Sequence, residues 1–164
     1  MKYSLTEHYK YKLEETEMRE TPFTGYEFDN RYMKMLDNGQ LFVQAGYAWD
    51  GSSIPHKGKI RALSYLNPLV WVRIKDAYDA DEYCKTASLI HDALCQAMRE
   101  RLLPSRFKLR ADTLYREMCM EGGMSKRQAE RRFKALRKFG DVGIQPEKNP
   151  RNKIYDTCAG EALA

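Results

Sequence analysis

The chain lacks a long hydrophobic run. Its longest apolar stretch, Leu66 to Val72, is broken by Pro68, whereas a membrane-spanning helix needs roughly 18 apolar residues. A transmembrane segment is therefore not expected. The opening Met1-Lys2-Tyr3-Ser4-Leu5-Thr6-Glu7 holds no apolar signal core, so export by a classical signal is not expected either. Cysteine is scarce and forms no motif. The four cysteines, at 84, 95, 119 and 158, include no CxxC pair, which removes the usual basis for a zinc knuckle or a redox site. Cys84 and Cys95 fall on one predicted helix about 16 Å apart along its axis, too far for a disulfide. Two or more of the cysteines read as small core residues in a reducing compartment. There is no internal repeat and no low-complexity tract.

What is present fits one globular domain. The 164 residues are 43% apolar and 31% charged, enough chain for a sizeable core. The net charge of +5 is unevenly placed. Residues 126–138 hold seven Lys or Arg (Lys126, Arg127, Arg131, Arg132, Lys134, Arg137, Lys138) against Glu130 alone, which is more than the excess of the whole chain.

The N-terminal third reads as β-structure. His8 to Leu13 alternates polar and apolar residues. Arg31 to Leu36 and Gln40 to Gln44 flank Asp37-Asn38-Gly39, a hairpin turn signal. The segment from Ala45 to Pro55, with two glycines, two serines and a proline, reads as an irregular loop rather than a strand. Such a loop can aim carbonyls and the Asp50 carboxylate at one point. Leu69 to Val72 is either a short strand or a buried turn.

Three helices follow. The first is predicted from about Asp81 to Leu102, with Asp79 or Asp81 as N-cap. Cys84, Ala87, His91, Leu94, Cys95 and Met98 share its apolar face. Pro104 ends it, and Ser105 is placed to cap the second, whose inner face is Phe107, Ala111, Leu114 and Met118. Gly122-Gly123 stops that helix. Ser125 and Gln128 make a capping box for the third, with Met124 and Ala129 as a hydrophobic staple and Ala129, Phe133 and Leu136 inward. The fold expected is α+β, an N-terminal antiparallel hairpin or small sheet packed against a three-helix C-terminal bundle. Residues 1–140 form one domain in this reading, and 141–164 an extended tail.

His91 lies in the middle of an apolar stripe, where an imidazole needs a hydrogen-bond partner. Asp92 stands at the border of the stripe. Asp112, near the start of the next helix, can approach His91 if the two helices pack antiparallel with the right offset. A carboxylate on one ring nitrogen leaves the other free to take a proton from water, so His91 and Asp112 are the candidate catalytic pair. Asp50 and Asp92 are candidate ligands for a hard cation such as Ca²⁺, shaped by a loop containing Gly46, Tyr47, Gly51, Ser53 and Pro55. Each residue also has a plainer role: a backbone-satisfied core histidine, an Asx turn at Asp50, ion pairs of Asp92 with Arg99 or Arg101, and of Asp112 with Arg116. The basic helix offers Arg127, Arg131, Arg132, Lys134 and Lys138 to an anionic membrane surface or to nucleic acid, or simply to solvent.

The order Gly46-Tyr47-Ala48-Trp49-Asp50-Gly51-Ser52-Ser53-Ile54-Pro55, then His91-Asp92, then Ala111-Asp112 resembles a phage and prophage family of unknown function, DUF thirteen-fifty-three, over about residues 30–140. That resemblance implies a phage gene product in the host cytoplasm or the virion, with other virion proteins as partners. More locally, Cys84 to Met98 followed by Asp112 is similar to the paired catalytic helices of secreted phospholipases A2. There the resemblance implies His91 as base, Asp92 as calcium ligand and Asp112 behind the histidine. The disulfides and Gly-rich calcium loop of those enzymes are missing, and about 25 extra residues precede the helix. The functional expectation is a lipid-ester hydrolase. A non-catalytic virion, tail or assembly component, and a nucleic-acid-binding protein, are the alternatives.

Overall fold

A computed structural model describes residues 1–7, 9–51, 83–147, 154–155 and 162–163. The expectations for His8, Ser53, Pro55, Leu69 to Val72 and Cys158 lie outside the described residues, whereas the helix expected from Asp81 begins at Lys85 with Cys84, not Asp79 or Asp81, at its N-cap. The fold is α+β; among the described residues, two small antiparallel sheets come from the N-terminal part and three helices lie toward the C-terminus.

The first sheet has the order β1 (Tyr3–Leu5), β2 (Tyr11–Leu13) and β7 (Ala48–Trp49). The second has the order β3 (Glu17–Glu20), β6 (Gln40–Val43), β5 (Met33–Met35) and β4 (Phe28–Asp29). The β5–β6 hairpin forms where the turn signal places it, with Met33 opposite Val43 and Met35 opposite Leu41. All four of these side chains are buried, as period-two alternation requires. Gly39 has φ +89, and a Cβ there would come within 2.4 Å of the Thr21 carbonyl oxygen.

Within the described part of the segment expected to be an irregular loop, residues 45–51, the chain is not wholly irregular, which corrects the sequence expectation. Ala48 and Trp49 form β7 by pairing with Lys12 and Tyr11 of β2. Two residues are too few to show a strand period, so the pairing comes from β2 rather than from a local signal. The buried Trp49 indole Nε1 donates to Ser88 Oγ at 3.2 Å, which anchors the first sheet on the first helix.

Helix α1 spans Lys85–Arg99, α2 Lys108–Glu121 and α3 Lys126–Phe139. α2 packs against both of the others. α1 ends three residues before the expected Leu102. The amides of Arg101 and Leu102 turn back onto the carbonyls of Met98 and Ala97, and Arg101 takes φ +62. This is a Schellman cap with arginine where glycine is the usual residue. Gly123 (φ +101) fills the same position after α2, with Gly123 and Met124 bonding back to Met120 and Cys119. The capping box of Ser125 and Gln128 forms as expected. Ser105 does not cap α2. It opens a 3₁₀ turn, Ser105–Phe107, and no side chain caps the helix behind it.

The chain from 141 onward does not begin as an extended tail. Gly140–Ile144 is a 3₁₀ turn lying against α1 and α3. The Gly143 carbonyl accepts from Arg99 Nη1 at 3.0 Å, a tertiary contact with no local signature. Further on, β8 (Ile154–Tyr155) pairs antiparallel with β9 (Ala162–Leu163). One core cluster joins the sheets to the helices, from Tyr11, Leu13 and Trp49 to Leu89, Leu94, Ala111 and Ala129. Cys84, Cys95 and Cys119 are buried within it.

Gly39→Ala is expected to destabilise the protein by about 1–3 kcal/mol, because alanine is strained at positive φ and its methyl meets backbone. Urea unfolding of the wild type and the variant measures this. An unchanged midpoint would contradict the tight turn.

Candidate active site

The buried face of α1 carries His91, and α2 carries Asp112 opposite it. His91 Nε2 lies 2.7 Å from Asp112 Oδ1. The imidazole keeps 7% of its side-chain surface and the carboxylate none. Asp112 is wholly inside the core. An unpaired carboxylate would be very costly there. It is not unpaired. Lys108 Nζ, one turn earlier on α2, lies 2.5 Å from Oδ1, and Arg137 Nη1 from α3 lies 3.1 Å from Oδ2. Three cationic or protonatable groups from three helices converge on one buried anion.

These contacts revise two ion pairs expected from spacing. Asp112 pairs with Lys108 and not with Arg116, which donates instead to Glu130 Oε2 at 3.2 Å. The i,i+4 rule admits a partner on either side of Asp112, and burial selects the side facing α3. Arg99 is spent on the Gly143 carbonyl rather than on a direct pair with Asp92. Lys108 and Arg137 are the site residues that the sequence did not reveal. The Lys108–Asp112 spacing is a visible signal, but Arg137 comes into reach only through tertiary packing.

The second ring nitrogen of His91 faces a different environment. Nδ1 is 3.9 Å from Asp92 Oδ1, and Cys95 Sγ is 3.8 Å from Nδ1. The Tyr115 ring meets the imidazole edge-on at 5.4 Å between centroids. Asp92 keeps 41% of its side-chain surface open, so this side of the histidine is the one that approaches solvent. Tyr47 is buried beside Asp92; burial, and then the Asp92 carboxylate, raise its phenol pKa well above the ordinary value. Loss of water on its inner side raises the Asp92 carboxyl, the His91 hydrogen bond lowers it, and the Asp50 carboxylate raises it again.

Asp50 reaches this mouth because Trp49 is pinned to Ser88, one turn before Asp92 on α1. Its Oδ1 accepts the Lys10 amide at 3.4 Å. Gly46 (φ +90) and Gly51 (φ +71) bracket the segment. The Gly46 amide donates to Leu13 at 2.7 Å, and the Leu13 amide donates to the Tyr47 carbonyl at 2.8 Å. His91 thus contacts Asp112 and lies near Asp92, while Asp50 and Tyr47 interact electrostatically with Asp92. Ser53 and Pro55 belong to the undescribed segment.

As a cation site, Asp50 and Asp92 offer the hard oxygen donors that Ca²⁺ prefers, and their mutual repulsion favours a positive charge between them. Among the described residues no group of three or more His, Cys, Asp or Glu side chains surrounds one point. The pair therefore fits calcium in kind and supplies part of a coordination shell of about six to eight oxygens.

Burial opposes a charged imidazole at His91, but the Cys95 sulfur and the Asp112 and Asp92 carboxylates outweigh it and raise its pKa well above 6.5. For Asp112 burial pushes the pKa up, and the bonds from His91 and Lys108 reverse this and hold it below its ordinary value.

The basic helix divides. Arg137 turns inward to Asp112, and Arg132 is half-buried. Arg127, Arg131, Lys134 and Lys138 are exposed, and their i, i+4, i+7, i+11 spacing places them in one outer stripe. Among the described residues no helix is long and apolar enough to cross a membrane. Comparison with protein-family models, with curated proteins and with solved structures found no match.

Asp112→Asn is expected to cost about 3–5 kcal/mol at neutral pH, the usual consequence of removing one partner from a buried charge cluster. Because the folded-state pKa is depressed, the carboxylate contributes stability above its unfolded value of about 3.9. That contribution disappears as pH falls through the lower folded value. Urea titrations from pH 7 into acid should show the wild-type advantage shrinking below about pH 4. A gap of constant size down to pH 2 would contradict the depressed carboxyl.

Proposed function

We propose that this chain is an ester hydrolase in which His91, oriented by Asp112, removes a proton from water at the mouth lined by Asp92, Asp50 and Tyr47. One observation carries the reading. His91 is committed through Nε2 to a buried carboxylate and presents Nδ1 to the partly open side, beside Asp92. In its neutral form, reached as pH rises through its raised pKa, a histidine fixed in this way is one tautomer with Nδ1 placed to accept a proton, so hydrolysis is expected to increase with pH above neutrality. Asp112 is in turn fixed by Lys108 and Arg137, so the ring is oriented by a support spanning three helices. Asp92 and Asp50 would hold a divalent cation, for which Ca²⁺ is the candidate. When bound, such a cation polarises an ester carbonyl and stabilises the developing oxyanion. The outer stripe of Arg127, Arg131, Lys134 and Lys138 suits a phospholipid or other anionic surface, which favours a lipid ester as substrate. The likeness of the His91-Asp92 and Asp112 pattern to secreted phospholipases A2 points the same way, and the phage-family resemblance makes the host cytoplasm or the virion the setting.

A second reading has its own support. Asp112 ties α1, α2 and α3 together, a role that a non-catalytic virion or assembly component would need equally. The two readings separate at His91. For the hydrolase, His91→Gln keeps the fold and loses on the order of 10²-fold or more in ester hydrolysis. For the structural role, the same variant loses stability, and the wild type has no ester hydrolysis to lose. Nucleic-acid binding through the outer stripe is the least supported reading. It requires salt-sensitive binding that disappears when Arg131 and Lys134 are neutralised.

Calcium is tested by thermal unfolding in millimolar Ca²⁺ and then in chelator, on wild type and Asp92→Asn. A ligand that binds only the folded state raises the midpoint. A rise in the wild type that is absent from the variant is expected. Identical midpoints in calcium and chelator for the wild type would remove the cation from the mechanism.

A further inference from the structure

An open cavity of about 830 Å³ lies between the end of α1, the 100–107 connection, the start of α2 and the 140–146 segment, lined by the Lys108 and Arg137 that hold Asp112. Its volume lies in the range of small-molecule sites. Four cationic side chains line it, Arg101, Arg106, Lys108 and Arg137, against a single acid, Asp141. Lys108 and Arg137 are partly committed to Asp112. Arg106 donates one bond, from Nη2 to the Tyr26 hydroxyl at 3.1 Å, and keeps its remaining donors. Among the described residues no carboxylate lies in salt-bridge range of Arg101 or Arg106.

The backbone adds to this concentration of charge. Arg101 occupies the left-handed position of the Schellman cap, where glycine would be relaxed. Arginine there serves the helix poorly and the cavity well. A guanidinium presents donors in a rigid fork that matches the oxygens of a phosphate, and two lie at this rim above a buried ammonium.

We propose that this cavity is an anion site, distinct from the His91 mouth, that receives a phosphate group through Arg101 and Arg106, with Lys108 and Arg137 also lining it. The inference does not depend on the hydrolase reading. A free phosphate and a lipid headgroup present the same chemistry, and the experiment separates them.

Isothermal titration with inorganic phosphate, and with pyrophosphate, at ionic strength matched by sodium chloride tests the free anion. Co-sedimentation with phosphatidylglycerol vesicles, with phosphatidylcholine vesicles as control, tests the headgroup. Each is run on the wild type, on Arg101→Gly/Arg106→Gln and on Asp141→Asn. Glycine suits the cap geometry at position 101, and both arginines are exposed, so the double variant is expected to keep the fold, checked by circular dichroism and thermal unfolding. The site predicts saturable binding to at least one probe, weakened about tenfold or more in the double variant and tightened in Asp141→Asn. Binding of phosphate without phosphatidylglycerol vesicles assigns a soluble ligand; the reverse assigns a headgroup. Absence of binding to both probes, or equal affinity in the double variant, would overturn the proposal. Equal vesicle binding would place lipid contact on the outer stripe of α3 instead. Should the double variant unfold, Arg101→Gly alone gives the same comparison.

Discussion

A carboxylate with no solvent exposure governs this fold. Asp112 cannot be buried alone, because an isolated anion in an apolar interior would be too costly. The chain meets that requirement with one group from each helix: His91 from α1, Lys108 from its own helix α2, and Arg137 from α3. The three helices must therefore pack with one offset and one rotation, and hydrophobic contacts that tolerate sliding are held to that register. Removing such a pin leaves buried cations without a counter-charge. Its importance thus lies in specificity as much as in net stabilisation.

The same constraint gives the site its polarity. With Nε2 of His91 turned to Asp112, Nδ1 points toward Asp92 and the open side. The sheets complete this mouth from the opposite direction. Pairing of β7 with β2 places Trp49 against Ser88, and the next residue, Asp50, then falls within electrostatic range of Asp92. Lys108 and Arg137, which hold the pin, also line the cationic cavity. The buried carboxylate thus shares Lys108 and Arg137 with the cationic cavity and His91 with the acidic mouth.

Much of this was legible where the signal is local. The Asp37-Asn38-Gly39 turn, the alternation of Met33, Met35, Leu41 and Val43, the Gly122-Gly123 stop and the Ser125 capping box all depend on residues within a few positions of one another. The pairing of His91 with Asp112 was legible as an expectation because two consecutive helices with a short connection limit the geometry. What could not be read depends on distant partners. β7 exists because β2 is beside it. Asp112 is fully buried because Arg137 arrives from α3, and the 140–144 turn is held by Arg99. The early end of α1 rests on an arginine in a backbone position where glycine is the expected residue, so the usual stop signal was absent.

The most direct test is the imidazole nitrogen spectrum of His91, assigned by comparison with His91→Gln and recorded for wild type and Asp112→Asn. The account predicts a proton on Nε2 that is protected from solvent exchange in the wild type and loses that protection in Asp112→Asn. A wild-type ring with Nε2 unprotonated, or one that exchanges as fast as a free histidine, would contradict the pairing with Asp112 on which the site depends.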